Sequence, residues 1–470
     1  MYYLEALVPE LWLRIHRSTE HSDLKNLSLT CKLFHSLVQP LIFETLRVVI
    51  PNNPAGSRKD IETFLKSFVA HFSDMANSAT VAPLVKTAAF ADRLAQGNQE
   101  AMDLFRAYKE QIPQILFGEM LPKFQNIQSL TLYDAGVDYD APTRQAVDAL
   151  PNLRNLHLFH VWIEAKGKTL PLESFTFSNE SMAFGQKFGI VDHTTVREMI
   201  LHPGEYGLDG LFLALRGQTL TLLTTLELVV CRRLPEAEAV AFLAQCPNIE
   251  SLTLERTGTS GIAMVGQMAG PLNALMNNLL APQQRELTLV LPEGSLPRLR
   301  KLRCPYGYAL SILPGRTTIE ELSLQRSRVE NPHLSLNGPI AAARGSAGVL
   351  KKLFLLSTLP HSEYPAVLAA IAESLPNVEN LLVFPRESAP NGVLAEGVAE
   401  WVLPPSVKTL DFYDMPDKDS KPEDVDASKL EGVVLALAGM QQSGALSRVQ
   451  YEHCRISAFQ RKKSREWVKV

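Results

Sequence analysis

One apolar pattern recurs along most of the chain and limits the folds that the chain can adopt. Apolar residues occupy positions i, i+3 and i+5, first at Ile127, Leu130 and Leu132 and last at Leu446, Val449 and Tyr451. The same spacing occurs in between at residues 153–158, 172–177, 196–201, 223–228, 249–254, 299–304, 319–324, 350–355, 378–383 and 407–412. Because alternate residues of a strand point to the same side, each copy predicts a β-strand with one buried face.

The interval between these copies indicates a repeat architecture. Their middle residues, from Leu130 to Val449, follow one another at an average of about 29 residues, the long end of the leucine-rich-repeat range. Three copies share a preface, Leu150-Pro-Asn-Leu, Cys246-Pro-Asn-Ile and Leu375-Pro-Asn-Val, in which proline ends an incoming helix. One helix-strand unit cannot bury its own apolar face. We therefore expect an α/β solenoid of stacked units over residues 122–460.

A doubly wound α/β sheet is the competing fold, since it also alternates helices and strands. It accounts neither for the fixed interval nor for the Pro-Asn preface, and no strand leads into a glycine-rich phosphate turn. The spacing is irregular between Leu252 and Leu302, where residues 258–282 form an insertion. Residues 51–121 are predicted to be a linker and a mainly helical connection, with a possible degenerate strand at Val85, Ala88 and Phe90.

Residues 1–50 predict a helical unit with two apolar faces. Pro9 begins a first helix, and a second helix runs from Asp23 to Val38, with Ser22 as its N-cap and Pro40 as its stop signal. On the second helix, one face carries Leu24, Leu27, Cys31, Phe34 and Val38, and the opposite face carries Leu29, Leu33 and Leu37. A unit this small cannot cover both faces, so one face packs either on the rest of the chain or on another protein.

Residues 4–48 resemble the F-box domain of ubiquitin-ligase substrate receptors. The segment Leu7-Val8-Pro9-Glu10-Leu11, with Ile15 four residues on, is similar to the Leu-Pro-x-Glu-Leu start of that family. The segment from Asp23-Leu24 through Leu27 and Cys31 to Phe34 is similar to its acid-Leu, Leu-x-x-Cys-x-x-aromatic core. The chain departs from the family at residues 16–20, which are polar, and at Phe34, where tryptophan is common.

The resemblance implies that this unit docks on a Skp-family adaptor, which would join the chain to the cullin and RING subunits of a ubiquitin ligase. The adaptor-binding positions that it implies are Leu7, Pro9, Leu11, Ile15, Leu24, Leu27, Cys31 and Phe34. The chain would then be a non-catalytic receptor without a cofactor, and the repeats would bind a protein target. The alternative is a leucine-rich-repeat interaction scaffold without a ubiquitination role.

The repeat pattern also predicts where a target would bind. Side chains that alternate with the buried residues of each strand face away from the core, and exposed apolar groups among them suggest a protein partner. The candidate target-binding residues are Tyr133, Phe159, Val229, Glu255, Gln325, Leu356 and Tyr413.

Composition argues against several other classes of protein. Lys plus Arg is 46 and Asp plus Glu is 50, a net charge of −4, which disfavours nucleic-acid binding. The 5 cysteines are far apart, which is typical of reduced thiols and not of a disulfide framework or a zinc site. Glu5 and Glu10 interrupt the N-terminal apolar stretch, and no later window reaches the ~20 apolar residues of a membrane span. We expect a cytoplasmic and/or nuclear protein that binds no membrane.

Motifs for catalysis or metal binding are weak. The glycines from Gly258 to Gly270 lack the Gly-Lys-Ser/Thr ending of a phosphate loop, and His157 and His160 have no third ligand nearby in sequence. We interpret the acidic residues 411–426 as a solvated loop or an attraction for a basic target, and residues 461–470 as a solvated basic tail. The sequence therefore predicts no metal site and no catalytic residue.

Overall fold

The structure is a computed structural model of the chain. It describes residues 18–50, 58–92, 114–133, 138–139, 141–159, 162–163, 166–179, 188–203, 209–230, 236–256, 289–326, 335–359, 363–385, 401–413, 445–453, 456–461 and 467–469. The chain divides into two compact units, unit 1 (Met1–Gln218) and unit 2 (Thr219–Val470), which are described in turn.

Unit 1 begins, within the described residues, with a pair of helices that leads directly into a strand. Helices α1 (His21–Ser28) and α2 (Lys32–Phe43) pack on each other and precede strand β1 (Thr45–Ile50). Helix α3 (Arg58–Asn77) and a 3-10 turn (Ala82–Leu84) follow, then strand β2 (Thr87–Asp92). A π-helical segment (Gln114–Met120) and a second 3-10 turn (Leu121–Lys123) pack near α3. The predicted helical connection and the strand at Val85, Ala88 and Phe90 are thus present in part as α3 and β2.

The rest of unit 1 alternates strands with short helices. Its elements are β3 (Ser129–Tyr133), β4 (Asp138–Tyr139), α4 (Ala141–Asp148), β5 (Asn155–Phe159), β6 (Trp162–Ile163), β7 (Ser174–Asn179), β8 (Glu198–Pro203) and α5 (Asp209–Leu215). Strands β1, β2, β3, β5, β7 and β8 pair in that order, all parallel, and β4 pairs with β6. Their order follows the chain, whereas a doubly wound sheet reverses its strand order at a switch point.

Unit 2 repeats the arrangement over a longer stretch. Its elements are β9 (Thr225–Val230), α6 (Glu236–Leu243), β10 (Ser251–Arg256), β11 (Lys301–Pro305), α7 (Tyr306–Ile312), β12 (Glu321–Gln325), α8 (Asn337–Ala342), β13 (Lys352–Leu359), α9 (Tyr364–Ser374), β14 (Asn380–Pro385), β15 (Thr409–Tyr413), β16 (Arg448–His453), β17 (Ile456–Arg461) and β18 (Trp467–Lys469). Strands β9 to β16 pair in chain order and in parallel, and β17 and β18 close the series as antiparallel strands. Helix α8 packs between α7 and α9.

The apolar pattern in the sequence coincides with these strands. In unit 2 the middle residues pair across all eight parallel strands, in the order Leu226, Leu252, Leu302, Leu322, Leu353, Leu381, Leu410 and Val449. In unit 1 they pair as Leu130, Leu156, Phe175 and Met199. All twelve are almost completely buried. The predicted strands and their buried face are therefore confirmed, as a mixed α/β fold with runs of parallel strands.

The Pro-Asn preface has a structural role that its sequence did not reveal. The side-chain amide of Asn152 donates to the Gln125 carbonyl at 3.0 Å, and that of Asn248 donates to the Thr221 carbonyl at 2.7 Å. Asn377 makes the equivalent bond to the Ala347 carbonyl at 3.1 Å. Each asparagine satisfies a backbone carbonyl in the turn that precedes the neighbouring strand, so the preface links consecutive repeats.

A buried arginine binds the loop at residues 167–168 of unit 1. Arg144 on α4 is 1% exposed, and its Nε donates to the Asp148 carboxylate at 2.9 Å. Its Nη2 donates to the Lys168 carbonyl, while the second oxygen of Asp148 accepts from the Lys168 backbone N–H at 3.0 Å. Gly167 leaves room for this guanidinium, since a Cβ there would lie 2.3 Å from Arg144 Nε. The ion pair and its backbone bonds hold residues 167–168 against α4.

Three predictions for the N-terminal helices are wrong. The helix expected from Asp23 to Val38 is two helices separated at residues 29–31. Its N-cap is Glu20, which makes no side-chain capping bond, and not Ser22. Pro40 does not stop α2, which continues to Phe43.

At the other end of the chain, Trp467–Lys469 of the predicted basic tail form strand β18, paired with β17.

Candidate functional site

Helices α1 and α2 form a small closed core of their own. Leu24, Phe34 and Val38 are buried, and the partly buried residues packed on them are Leu27, Cys31, Leu37, Leu41 and Ile42. Cys31 begins α2, since its Sγ accepts a hydrogen bond from the Phe34 backbone N–H at 3.5 Å. This cap turns the chain between the helices and brings Leu24 and Phe34 into one cluster.

The same helical pair leaves two leucines in solvent. Leu29, at the end of α1, is 84% exposed, and Leu33, in the first turn of α2, is 42% exposed. Leu29 lies in the turn between α1 and α2, and Leu33 lies four residues later in the chain, so this region offers two large apolar side chains to a partner. Both belong to the second apolar face that the sequence predicted, whereas the third residue of that face, Leu37, packs on the closed core.

The implied adaptor-binding residues fall into two groups, those in the core of α1 and α2 and those outside the described residues. Leu24 and Phe34 are core residues of the pair, and Leu27 and Cys31 are partly buried against them. The remaining four implied positions, Leu7, Pro9, Leu11 and Ile15, lie outside the described residues. Among α1, α2 and the turn between them, Leu29 and Leu33 are the most exposed large apolar side chains. They were named in the sequence only as the opposite face.

In both units the strand side chains that alternate with the buried rows form a second face, which we call the open face. Most of these side chains are exposed or half-buried, whereas Ser174, Thr176, Val229 and Ser323 are buried. On the open face of unit 1, the rings of Tyr133 and Phe159 stack at 4.8 Å between centroids with 11° between planes. Tyr133 is 44% exposed and Phe159 is half-buried. The two candidate aromatic residues are thus brought together, on the neighbouring strands β3 and β5.

His157, two residues before Phe159, hydrogen-bonds across strands. Its Nδ1 lies 2.9 Å from Thr176 Oγ1, and on the next pair of strands Ser174 Oγ donates to the Glu198 carboxylate at 3.0 Å. Burial lowers the pKa of His157, and the negative charge of Glu198 opposes that shift in part. These polar groups of unit 1 bond to one another, which favours a neutral imidazole in a structural role; the other histidine considered, His160, lies outside the described residues.

The open face of unit 2 brings together two other candidates. Arg303 Nη2 donates to Glu255 Oε1 at 2.9 Å and to Gln325 Oε1 at 3.4 Å, so an arginine on β11 joins Glu255 on β10 to Gln325 on β12. Arg303 was absent from the candidates. It lies between the buried Leu302 and Cys304, so the alternation rule that selected the other residues also identifies it.

The three remaining candidates are Val229, Leu356 and Tyr413, and they have different outcomes. Val229 is 4% exposed, as its neighbours Leu228 and Val230 are also buried, so its assignment to an exposed surface is wrong. The alternation of buried and open residues stops at the end of β9. Leu356 on β13 is half-buried. Tyr413 is the last residue of β15, and its side chain lies outside the described residues.

The described residues hold no group of three or more His, Cys, Asp or Glu placed to bind a metal ion. Within the same residues, no helix is long and apolar enough to cross a lipid bilayer. The glycines 258–270 and the acidic residues 414–426 lie outside the described ranges. Burial raises the pKa of the Cys246 thiol to about 12, which keeps this sulfur protonated and chemically inert.

No protein-family model matches the chain, and no curated protein sequence matches it significantly.

Proposed function

We propose that this chain is the target-recognition subunit of a Skp-cullin-F-box ubiquitin ligase, with its parallel strands arranged as a leucine-rich-repeat solenoid. The F-box-like helices bind the adaptor, and the open faces of the repeats bind a protein target. The receptor performs no chemistry. It raises the concentration of the target near a ubiquitin-charged enzyme held by other subunits.

The observation that carries the proposal is the helical pair at residues 21–43. Its F-box-like residues close into a core around Leu24 and Phe34, while Leu29 and Leu33 stay in solvent. A helical pair that satisfies its own core and still exposes leucines has a surface suited to a second protein. The repeat strands that follow support the second half of the proposal, because they present aromatic, charged and apolar side chains in rows.

Co-purification with a Skp-family adaptor tests the proposal. The full-length wild-type chain is expected to retain the adaptor, and a Leu29→Asp, Leu33→Asp double variant is expected to weaken binding at least about tenfold, or about 1.4 kcal/mol. Leu213→Asp is the matched control, since Leu213 on α5 is 44% exposed. Circular dichroism of all three chains shows whether they are folded.

Failure of the folded wild-type chain to bind the adaptor would refute the proposal. If the double variant binds the adaptor as tightly as the wild-type chain does, the contact lies elsewhere on the chain. The exposure of Leu29 and Leu33 would then no longer support the proposal. Leu24→Asp is unsuitable as the main variant, because Leu24 is buried and a charge there would unfold the pair itself. If the adaptor binds but a captured target is not ubiquitinated in a reconstituted ligase, the chain is an interaction scaffold.

A further inference from the structure

A straight row of side chains crosses five strands on the open face of unit 2. In the strand register, Thr253 pairs with Arg303, Arg303 with Ser323, Ser323 with Phe354, and Phe354 with Leu382. We call these five residues the central row. Neighbouring strands lie about 4.8 Å apart, so Arg303 is about 10 Å from Phe354 and about 14 Å from Leu382 along the row.

One end of the central row is cationic and held in place. Arg303 is 45% exposed, and its bonds to Glu255 and Gln325 both use Nη2. In the described contacts, Nε and Nη1 keep their hydrogen-bonding capacity for a ligand. Thr253 and Ser323 lie one strand to either side; Thr253 is half-buried and Ser323 is buried, with 9% exposed. The arginine is therefore oriented before any ligand arrives, which lowers the entropic cost of binding.

The charges around Arg303 favour an acidic ligand. Lys301 lies two residues earlier on the same strand and the same face, is exposed, and forms no ion pair with the described residues. Lys352 is paired with Glu321 at 3.2 Å, and Glu255 is paired with Arg303. On the open face of β10 to β13, three cations (Lys301, Arg303 and Lys352) and two acids (Glu255 and Glu321) thus leave a net positive charge.

Acids border the central row at both ends. Glu227 pairs in register with Thr253 on one side, and Asp411 pairs with Leu382 on the other. Lys301 and Arg303 lie on β11, between the strands of these two acids, and an acidic side chain of a ligand is attracted to that strand. This attraction gives the ligand a position along the row.

The other end of the central row is apolar. Phe354 and Leu382 are adjacent on β13 and β14, and Leu356 follows two residues later on β13, where the strand register shifts. All three side chains are half-buried, so part of their apolar surface stays in water. An extended peptide advances about 3.3 Å per residue, so the distance of about 10 to 14 Å from Arg303 corresponds to three or four residues.

We propose that the central row binds an extended segment of the target that carries a carboxylate side chain and, three or four residues away, a large apolar side chain. The carboxylate accepts hydrogen bonds from Arg303, and the apolar side chain covers Phe354 and Leu382. The inference rests on the proposed function, because it names the chemistry of the target that the repeats capture. A carboxylate is favoured over a phosphate because the row contains one arginine and no second guanidinium to match the larger charge.

Selection from a random peptide library tests this assignment on the full-length chain. The probe is a phage-displayed library of peptides of about 12 residues, which span about 40 Å when extended. The enriched peptides are expected to carry Asp or Glu three or four residues from Phe, Trp, Leu or Met. Arg303→Gln and Phe354→Ser should each weaken the selected peptides at least about tenfold.

Two matched variants control for nonspecific loss. Arg300→Gln removes an exposed arginine three residues before Arg303 that is paired with Glu320, and Leu310→Ser removes a leucine of α7 that is 38% exposed. Both should leave peptide binding unchanged. Changing Glu to Gln in a selected peptide should reduce its affinity by the same factor as Arg303→Gln does. Tighter binding of a peptide that carries phosphoserine in place of the acid would overturn the assignment to a carboxylate.

The assignment is overturned if the folded chain enriches no peptides, if the enriched peptides lack the spaced acid-apolar pair, or if Arg303→Gln binds them as well as wild type does. Neither the adaptor nor ubiquitin enters this experiment. If no peptide is enriched but the chain still binds the adaptor, only the assignment of the central row is refuted. If the chain binds the peptides but not the adaptor, only the ligase role is refuted.

Discussion

Units 1 and 2 build their open faces in different ways on similar buried rows. In unit 1 the open-face groups pair with each other across strands, as His157 with Thr176, Ser174 with Glu198, and Tyr133 with Phe159. Unit 2 also has cross-strand pairs, such as Arg303 with Glu255 and Lys352 with Glu321, but there Arg303 and Lys301 keep capacity for further bonds beside the half-buried Phe354 and Leu382. The second face is therefore the better suited to a ligand.

The difference shows how a repeat fold separates stability from recognition. The buried middle residues set the strand register and are leucine in most strands, with Phe, Met or Val elsewhere. The open residues between them do not pack in that core, so they can change without loss of register. Three experiments would break or sharpen this comparison.

The largest effect is expected at the buried arginine of unit 1. Arg144→Met leaves the Asp148 carboxylate, which is 12% exposed, without its cation and removes the bond to the Lys168 carbonyl. Loss of one partner of a buried ion pair typically costs about 3 to 5 kcal/mol. Chemical denaturation measures this cost, with Arg154→Met as control, because the exposed Arg154–Glu173 pair should contribute only about 0 to 1 kcal/mol. Equal costs for the two variants would mean that the ion pair on α4 does not fasten unit 1.

An intermediate effect is expected at the repeat links, and it should be the same in both units. Asn152→Ala in unit 1 and Asn248→Ala in unit 2 each remove an amide-carbonyl bond, worth about 1 kcal/mol, between consecutive repeats. Asn26→Ala, at an exposed position on α1, is the control and should cost less. Unequal losses in thermal denaturation would show that the two units do not share the same repeat link.

The smallest effect is a pH dependence confined to unit 1. Burial lowers the pKa of His157 below its usual 6.5, so the unfolded chain binds more protons than the folded chain just below that pH. The stabilising contribution of the neutral imidazole is complete above the unfolded-state pKa. It is lost as the pH falls from that pKa through the lower pKa of the folded state. His157→Gln should therefore lose less stability than wild type between about pH 8 and pH 5. A variant with the wild-type pH profile in thermal denaturation would contradict this, and the exposed His35→Gln is the control.

The buried half of the fold could be predicted because it depends on local spacing. Residues such as Leu252 and Leu254 alternate along one strand, so two positions are enough to predict the strand and its buried face. Helix α9 has the same local origin, since the buried residues Val367, Leu368 and Ile371 share one helical face. No long-range information was needed for either.

The helical pair could not be predicted in detail because tertiary packing overrides local signals there. Pro40 lacks a backbone N–H and usually ends a helix, yet α2 continues through it to Phe43. Leu41 and Ile42 pack on the cluster of Leu24, Phe34 and Val38, and this contact favours the extra turn. The break before α2 depends on the sulfur of Cys31 as a cap, which is an uncommon capping group.

The candidate site was predicted in part for a related reason. Alternation identified Glu255 and Gln325, but their connection through Arg303 depends on which strands become neighbours across the long interval between Arg256 and Lys301. Val229 was misplaced because burial at the end of β9 comes from neighbouring elements and not from alternation. Strand β1 was missed because its residues fall within the segment that resembles an F-box.

The chain-order pairing of the strands has a consequence for synthesis of the protein. Within each unit a parallel strand needs only the strand just before it along this series, so the ribosome delivers partners in the order in which they pair. Growth can then proceed from the N-terminal end of each unit as the chain emerges, because every new strand pairs with the strand made just before it. Truncated nascent chains that end after β3, β5 or β7 would each present an unpaired edge that the next strand fills.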